Sequence, residues 1–316
     1  MSDLIKHHVL KDAGTEITVL SMGAAVKEWR VDGQNCVLGF ADPESYRHNA
    51  HFLGAVVGRV ANRTAQSAFD LDGTRWPLAP NDGPHHLHGG PGGLSQINWD
   101  LDAVSDRDVI LRHTSPHLDQ GYPGEARIEV RMTLKEGALT WDMRVEVDRI
   151  TPINLAQHLY FNLTGGAHIR DHSLQISAQS ITPTGADLIP TGDISPVDGT
   201  RFDFRTPQIL SEIDPDRAGY DLNFALEKTS GPNVVLRAPN GKELRLWTDR
   251  PGLQFYSGTG LSAQAPPSGV AQTPFAGLCL EAQDFPDALH QPNFGSILCR
   301  PDAPYHQRTT IDIRQT

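Results

Sequence analysis

The sequence predicts an all-β protein, a large antiparallel β-sandwich, on three observations. Polar and apolar residues alternate with a period of two over several short segments, as they do when one face of a strand is buried. Asx-Gly dipeptides, which favour tight β-turns, separate pairs of such segments. Helical periodicity is nearly absent from the 316 residues. Many short strands with frequent turns are typical of a sandwich. We expect a single domain over residues 1–316, because no repeat, linker or change in charge marks a boundary.

Hairpins account for most of the predicted strands, because paired segments flank short turns. The predicted strand and hairpin segments are, in chain order, residues 15–21, 68–71 with 74–76, 128–134 with 140–147, 234–238 with 243–247, 296–300 and 309–314. Asp72-Gly73 and Asn240-Gly241 supply the turns of the first and third hairpins, since these residue types tolerate positive φ. Residues 207–213 and 285–290 are expected to form a turn or two of helix.

Two further predicted strands carry ionisable residues among apolar ones. Residues 275–283 resemble a buried strand, yet they contain Glu281, and residues 155–163 form a predicted strand with His158 at its centre. An ionised carboxylate is almost never fully buried unless it is paired or used chemically. A lone strand histidine is more often a satisfied core residue. Together, however, a carboxylate and an imidazole in apolar surroundings suggest acid/base chemistry on a neutral substrate.

Two segments rich in Gly and Pro, residues 79–93 and 262–274, are predicted loops over a binding face. The first contains a Leu-His-Gly-Gly string around His88. Its glycines are expected to let the backbone approach a ligand while His88 points a ring nitrogen at it. His86-x-His88 also matches the first half of a cupin metal box, although the carboxylate ligand expected a few residues later is missing. His85 and His86 are expected to be loop residues rather than ligands.

The composition argues against several classes of partner. The formal net charge is −11 at pH 7, whereas nucleic acids and anionic membranes bind basic surfaces. We therefore expect neither as a partner. No apolar run approaches the roughly 20 residues of a membrane span, and the N-terminal residues lack the apolar core of a signal peptide. Cys36, Cys279 and Cys299 have no C-x-x-C spacing. They are typical of reduced core residues, so we expect a cytoplasmic protein.

Six short strings, taken together, resemble the aldose 1-epimerase family, whose members are also called galactose mutarotases. They follow the family order from about residue 54 to residue 288, and so the resemblance covers most of the chain. The strings are GRVANR (58–63), LHGG (87–90), QHLYFNL (157–163), YDLNF (220–224), PGLQFYSG (251–258) and LCLEAQDFPDA (278–288). The resemblance implies the large galactose mutarotase-like β-sandwich, or supersandwich, which agrees with the strand prediction made without it.

The resemblance also implies roles for individual residues. Glu281 would be the catalytic base, His158 the catalytic acid, and His88 would assist at the sugar. The implied hydroxyl-binding residues are Arg63, Asn62, Asp221 and Gln254. One departure from the family pattern concerns the neighbours of His158: Gln157 and Leu159 stand where relatives usually carry Asn and Ser or Thr. The preferred sugar therefore stays open.

The implied reaction interconverts the α and β anomers of a free aldose, a hexose such as galactose or glucose, or a pentose. It needs two proton transfers and neither a cofactor nor a metal. The acid and the base are expected to face the monosaccharide from opposite sides. The alternatives are an epimerase for a sugar phosphate, a non-catalytic carbohydrate-binding protein of the same fold, and a metal-dependent cupin. A phosphate would need a cationic clamp, for which Arg59, Arg75 and Arg127 are further candidates. Both a monomer and a homodimer stay open.

Overall fold

The computed structural model describes residues 4–262 and 273–316, so most of the predicted loop at 262–274 lies outside the described residues. In chain order the first strands are β1 (His7–Asp12), β2 (Thr15–Leu20), β3 (Val26–Val31), β4 (Gln34–Asn35), β5 (Val56–Val57), β6 (Arg63–Thr64), β7 (Ala68–Leu71), β8 (Thr74–Pro77), β9 (His86–Leu87), β10 (Asp100–Ser105), β11 (Asp108–Ser115), β12 (Ala126–Lys135), β13 (Ala138–Val147) and β14 (Thr151–Pro152). They are followed by β15 (Ala156–Gln157), β16 (Tyr160–Phe161), β17 (Ser173–Ile176), β18 (Ala178–Thr182), β19 (Ser195–Pro196), β20 (Gln208–Ile209), β21 (Asp221–Leu226), β22 (Val234–Arg237), β23 (Lys242–Thr248), β24 (Gly252–Tyr256), β25 (Leu278–Gln283), β26 (Leu298–Cys299) and β27 (Tyr305–Gln315).

The helical content is small. The helix α1 covers Leu210–Ile213, and short 3-10 helices lie at Pro43–His48, Ala65–Ser67, Leu94–Gln96 and Asp119–Gly121. The helix at 207–213 is therefore confirmed but shorter than predicted, and residues 285–290 form turns without a regular helix. Among the described residues, each helix is too short to cross a lipid bilayer.

Two large antiparallel sheets organise the molecule. One has nine strands in the order β10-β11-β12-β13-β27-β23-β22-β17-β20, and the other has six in the order β16-β25-β24-β21-β18-β19. A smaller sheet contains β1 to β4. The predicted hairpins are confirmed by the register: Leu71 pairs with Thr74, Lys135 with Ala138, and Arg237 with Glu243.

The main core lies between the large sheets. Trp141 and Leu246 of the nine-stranded sheet belong to one hydrophobic cluster with Phe255 and Leu280 of the six-stranded sheet. Facing sheets that bury their apolar faces against each other define a β-sandwich. The predicted fold class, a large antiparallel β-sandwich, is therefore confirmed.

Strand β25 is buried along its whole length because it lies inside the six-stranded sheet and is covered on both faces. Side chains alternate between the faces of a strand. Leu278 and Leu280 face the main core. Cys279 belongs to a second apolar cluster, on the other face, and Glu281 follows it there. The carboxylate in this apolar run thus points away from the core.

The prediction of a continuous strand over residues 155–163 is wrong. The segment forms two short strands, β15 and β16, with His158 and Leu159 between them. Strand β15 pairs with β5, whereas β16 pairs with β25, so the chain passes from one sheet to another at this point. Period-two alternation does not reveal such a change of partner, because both short strands have the same buried character.

Candidate active site

Three neighbouring strands bring Asp221, Gln254 and Glu281 to the same part of the six-stranded sheet. Gln254 on β24 lies directly opposite Glu281 on β25, and cross-strand neighbours have Cβ atoms about 5 Å apart. Asp221 begins β21, on the other side of β24. The Gln254 Nε2 amide donates a hydrogen bond of 2.6 Å to Asp221 Oδ1. The sheet therefore fixes the spacing of an acid, an amide and a second acid.

His158 is held by backbone contacts rather than by a continuous strand. Its N–H donates to the Ala55 carbonyl oxygen at 2.8 Å, and its own carbonyl accepts from the Gly54 N–H at 2.9 Å. The adjacent Gln157 donates from Nε2 to the Leu280 carbonyl and accepts the Leu159 N–H at Oε1. Gln157 thus ties this crossing to β25, one residue from Glu281. The two departures from the family pattern, Gln157 and Leu159, are both fully buried and do not line the pocket.

Glu281 and His158 are direct neighbours. Glu281 Oε1 lies 3.7 Å from His158 Nε2, and the two side chains are 2% and 5% exposed. The expectation that they face the sugar from opposite sides is therefore wrong, because they lie side by side. This arrangement still suits a hemiacetal. The hydroxyl oxygen and the ring oxygen of a sugar are bonded to the same carbon, so one edge of the ring reaches both groups.

His88 has a defined tautomer. Its Nδ1 accepts a hydrogen bond of 3.1 Å from the Asn62 N–H, so this nitrogen carries the lone pair. A neutral imidazole then has its proton on Nε2. Burial, helped by His158 and Arg63, holds the pKa of His88 well below its usual range. His88 is therefore a neutral hydrogen-bond donor at physiological pH.

The glycines after His88 serve packing against protein rather than against a ligand, which corrects the prediction. A Cβ on Gly89 would lie 1.8 Å from the Gly58 carbonyl oxygen, and Gly89 has a φ of +85°. A Cβ on Gly90 would come within 2.7 Å of the His86 ring. The string lets the turn carrying His88 lie directly on the segment that precedes Asn62.

Arg63 is the guanidinium of the site, and two carboxylates hold it. Its Nε donates to Asp82 Oδ2 at 2.7 Å, and its Nη1 lies 3.8 Å from Asp221 Oδ2. Asn62, just before it, has a φ of +63° and accepts the Arg63 N–H at its side-chain oxygen. This local turn aims the side chains of Asn62 and Arg63 towards the same space as His88.

All seven predicted site residues line one pocket. Its lining consists of Asn62, Arg63, His88, His158, Asp221, Gln254 and Glu281, together with Ala50, His51, Phe52, Leu87, Tyr160 and Tyr256. The pocket contains about 570 Å³ of space outside the protein atoms, part of which is open to solvent. Within it, Glu281 Oε2 and Gln254 Oε1 have no hydrogen-bond partner in the described part of the chain.

Sequence reasoning missed several lining residues, among them His51 and Phe52. The Phe52 ring packs edge-on against His88 at a centroid distance of 4.7 Å and lies 5.6 Å from the His158 ring. It forms an apolar wall beside both imidazoles. No sequence signal points to either residue, since they lie in an irregular segment between a 3-10 turn and β5. Tyr160 and Tyr256 also line the pocket, whereas Phe161 lies in the main core.

Burial pushes the acid and the base towards their neutral forms. Burial first, and the neighbouring Asp221 second, raise the pKa of Glu281 well above its usual range, while Arg63 acts in the opposite direction. Burial likewise lowers the pKa of His158 to about 4, and the nearby His51 adds to this effect. Burial therefore favours the neutral carboxyl and the neutral imidazole in this pair, whose Oε1 and Nε2 atoms are 3.7 Å apart. A neutral carboxyl with a neutral imidazole and a carboxylate with an imidazolium are then the two forms of the same pair.

The distances of a metal site are present, but the hydrogen-bonding pattern opposes one. Ligand atoms of His88, His158 and Glu281 lie within 4.8 Å of one another. A metal would need a lone pair on His88 Nε2, yet His88 Nδ1 already accepts the Asn62 N–H. The ring would have to lose both protons to satisfy the metal and the backbone.

His85 and His86 are not pocket-lining residues either. His86 is buried in β9, where it donates to the Ala79 carbonyl and accepts from the Tyr122 hydroxyl.

The arginines considered for a phosphate clamp lie elsewhere. Arg59 is buried and donates to carbonyl oxygens of residues 115, 116, 123 and 124. Arg75 pairs with Asp70 on the β7–β8 hairpin. Arg127 pairs with Glu125 and Glu146 on the nine-stranded sheet. Of the arginines and lysines described, only Arg63 lines the pocket, and it already faces two carboxylates.

Comparison with known proteins gives a consistent picture. A sequence model of the family described as aldose 1-epimerase matches residues 6–312. The chain is 38% identical over 316 residues to a human galactose mutarotase, covering 98% of this chain and 91% of the relative. It is 35% identical over 318 residues to an aldose 1-epimerase of Escherichia coli, covering 94% and 92%. Among solved structures, an aldose epimerase homologue from C. elegans superposes with a TM-score of 0.95 at 27% identity, covering 99% of this chain and all of the other.

Proposed function

This chain belongs to the aldose 1-epimerase family, and we propose that it interconverts the α and β anomers of a free aldose with Glu281 as the base and His158 as the acid. It is an isomerase of the aldose 1-epimerase class. The observation that supports these roles most is the buried pair itself, with Glu281 Oε1 and His158 Nε2 3.7 Å apart at the pocket floor.

In the ring-opening step, the Glu281 carboxylate removes the proton of the C1 hydroxyl. As the C1–O1 double bond forms, the bond between C1 and the ring oxygen breaks, and His158 Nε2–H protonates that oxygen. The pair passes from carboxylate and imidazolium to carboxyl and imidazole, and so its total proton count is unchanged.

Rotation about the C1–C2 bond presents the other face of the aldehyde. The former ring oxygen then attacks C1 and returns its proton to His158, while Glu281 returns a proton to O1. Because the two forms of the pair differ by one proton shift, neither has to exchange protons with solvent during the cycle. Positioned proton transfers of this kind each contribute about 10²- to 10⁴-fold to the rate.

The remaining pocket groups bind the sugar hydroxyls. His88 donates from Nε2, Arg63 and Asn62 offer side-chain donors, and Asp221 with Gln254 offers acceptor and amide groups. A neutral sugar suits this site better than a sugar phosphate, because Arg63 already pairs with the carboxylates of Asp82 and Asp221. A non-catalytic binding protein would have no use for a buried acid/base pair, whose desolvation costs stability.

We also propose a cytoplasmic protein, because Cys36, Cys279 and Cys299 are free and buried, as is usual in a reducing compartment. The monosaccharide would be its partner, with neither nucleic acid nor membrane bound, since the net charge is −11. Metal and cofactor are not required by the proposed steps. A monomer and a homodimer are both compatible with a pocket built from one chain.

Polarimetry tests the proposal. Purified protein should speed the decay of optical rotation in freshly dissolved α-D-glucose or α-D-galactose, and Glu281→Gln should abolish the acceleration. The variant should stay folded: burial raises the pKa of Glu281, which makes the ionised carboxyl unfavourable, so Glu281→Gln should unfold at no lower temperature than wild type at pH 8. Acceleration with glucose 6-phosphate but with no neutral aldose would support the sugar-phosphate alternative instead.

A further inference from the structure

The ring nitrogen of His158 that points away from Glu281 contacts a cysteine. Cys279 Sγ lies 3.6 Å from His158 Nδ1, and both side chains are buried. Cys279 precedes Glu281 by two residues on β25, so both side chains extend from the same face of the strand. One strand therefore contacts both ends of the imidazole, with Glu281 at Nε2 and Cys279 at Nδ1.

The proposed reaction requires the two ring nitrogens to behave differently. Proton exchange with the sugar takes place at Nε2, so the proton on Nδ1 has to stay in place through the cycle. The carbonyl oxygen of His158 itself contacts its ring and favours the protonated form. Among the described side chains, the Cys279 thiol is the one within hydrogen-bonding range of Nδ1.

We propose that Cys279 is a positioning residue for the proposed reaction: its sulfur accepts a hydrogen bond from His158 Nδ1–H and so keeps the exchangeable proton on Nε2. This inference rests on the proposed function of His158. Carboxylates commonly hold histidines in this way, and they stabilise the imidazolium strongly. Sulfur is a weak acceptor. It orients the ring but stabilises the imidazolium only weakly, so Nε2 can still release its proton.

The other groups around the ring do not replace the thiol. Glu281 on β25 faces Nε2. His88, after β9, packs its ring edge-on against His158 with centroids 5.1 Å apart. His51 acts on His158 through charge, and its presence lowers the pKa of His158. Phe52 and Tyr160 contribute ring faces. Burial and His51 thus disfavour a lasting positive charge on His158, and a neutral thiol at Nδ1 adds no charge that would stabilise one.

The first test compares alanine variants of two buried cysteines. Cys279→Ala removes the acceptor, and the loss of one hydrogen bond should lower kcat about three- to tenfold, with KM unchanged within about twofold. Cys279→Ser keeps a hydroxyl acceptor and should retain more activity than Cys279→Ala. Cys36→Ala is the matched control, because Cys36 is buried outside the pocket, where its thiol faces the Gln34 carbonyl. Equal kcat in Cys279→Ala and Cys36→Ala would overturn the proposal.

The second test observes the ring directly. Nitrogen-15 NMR of labelled histidine distinguishes the two neutral tautomers, and in wild type the His158 signal should show the proton on Nδ1. In Cys279→Ala the signal should move towards a mixture of tautomers. A wild-type ring protonated at Nε2 when neutral would contradict the proposal even if the variants were less active. This readout does not depend on catalysis, so a failure of the proposed function would appear separately, as wild-type protein that does not accelerate anomer exchange.

Discussion

Asp221→Asn removes a charge from the active site while keeping the shape of the side chain. Asp221 accepts from Gln254 Nε2 at 2.6 Å and faces Arg63 Nη1 at 3.8 Å. It also raises the pKa of Glu281 through charge repulsion, as the second cause after burial. The substitution should therefore weaken sugar binding and, separately, lower the pKa of the base.

The size of the binding effect follows from the geometry. At 3.8 Å and an effective dielectric constant of 20, the attraction between Arg63 and Asp221 is at most about 4 kcal/mol. Much of this is offset by the loss of hydration on pairing. Hydrogen bonds to charged groups contribute about 1.5–3 kcal/mol net. Losing one such contact to a sugar hydroxyl should lower kcat/KM by about 10- to 150-fold.

Initial rates of anomer exchange from pH 4 to pH 8, with the uncatalysed rate subtracted, measure both effects. Since Glu281 acts as a base in its ionised form, a lower pKa should extend the activity of Asp221→Asn to lower pH than in wild type. Asp70→Asn is the control, because Asp70 pairs with Arg75 on an exposed hairpin. An unchanged KM, or an acid limb that moves to higher pH, would refute the reasoning.

Two further predictions concern buried histidines. His88→Ala removes a buried hydrogen-bond donor and should lower kcat/KM by about 5- to 150-fold. His88→Gln keeps a neutral donor and should lower kcat/KM less. A pH profile of His88→Gln that is displaced from that of wild type would contradict this role, because it would show that His88 transfers protons. Burial lowers the pKa of His86 and of His172 from 6.5 to about 4, so their stabilising contribution is present above pH 6.5 and is lost as the pH falls towards 4. Each histidine should account for about 3 kcal/mol of the free energy of unfolding that is lost between pH 7 and pH 4, as measured by urea unfolding. His86→Gln should make the free energy of unfolding depend less on pH. A wild-type free energy of unfolding that is the same at pH 7 and pH 4 would contradict this prediction.

The sequence predicts well those parts of the fold that depend on local patterns. The hairpin at Asp72-Gly73 and the long pair β12 and β13 follow from turn chemistry and alternation, and the structure has both. Local patterns do not predict which strands belong to the same sheet. Strands β13, β27 and β23 are neighbours although far apart in the chain. The break at His158 likewise depends on which distant strand each half of the segment pairs with.

The candidate site was predictable as a set of residues but not as an arrangement. Glu281 and His158 are site candidates in the sequence because each is a polar residue within an apolar segment, and both line the pocket. Their side-by-side placement depends on the change of strand partner at His158, between β15 and β16, which brings this residue beside β25 and which no local pattern encodes. The sequence predicts that the glycines after His88 approach a ligand, whereas in the structure they make room for the Gly58 backbone. Phe52 carries no sequence signal, since its contacts with two imidazoles exist only in the folded chain.

The most direct measurement of the central claim is exchange NMR of an aldose already at anomeric equilibrium. Wild-type protein should transfer magnetisation between the α and β H1 resonances of galactose or glucose much faster than buffer alone. Glu281→Gln should exchange them at the buffer rate while still broadening the sugar signals through binding. Fast exchange in Glu281→Gln would contradict the account, because the carboxylate would then not be the base.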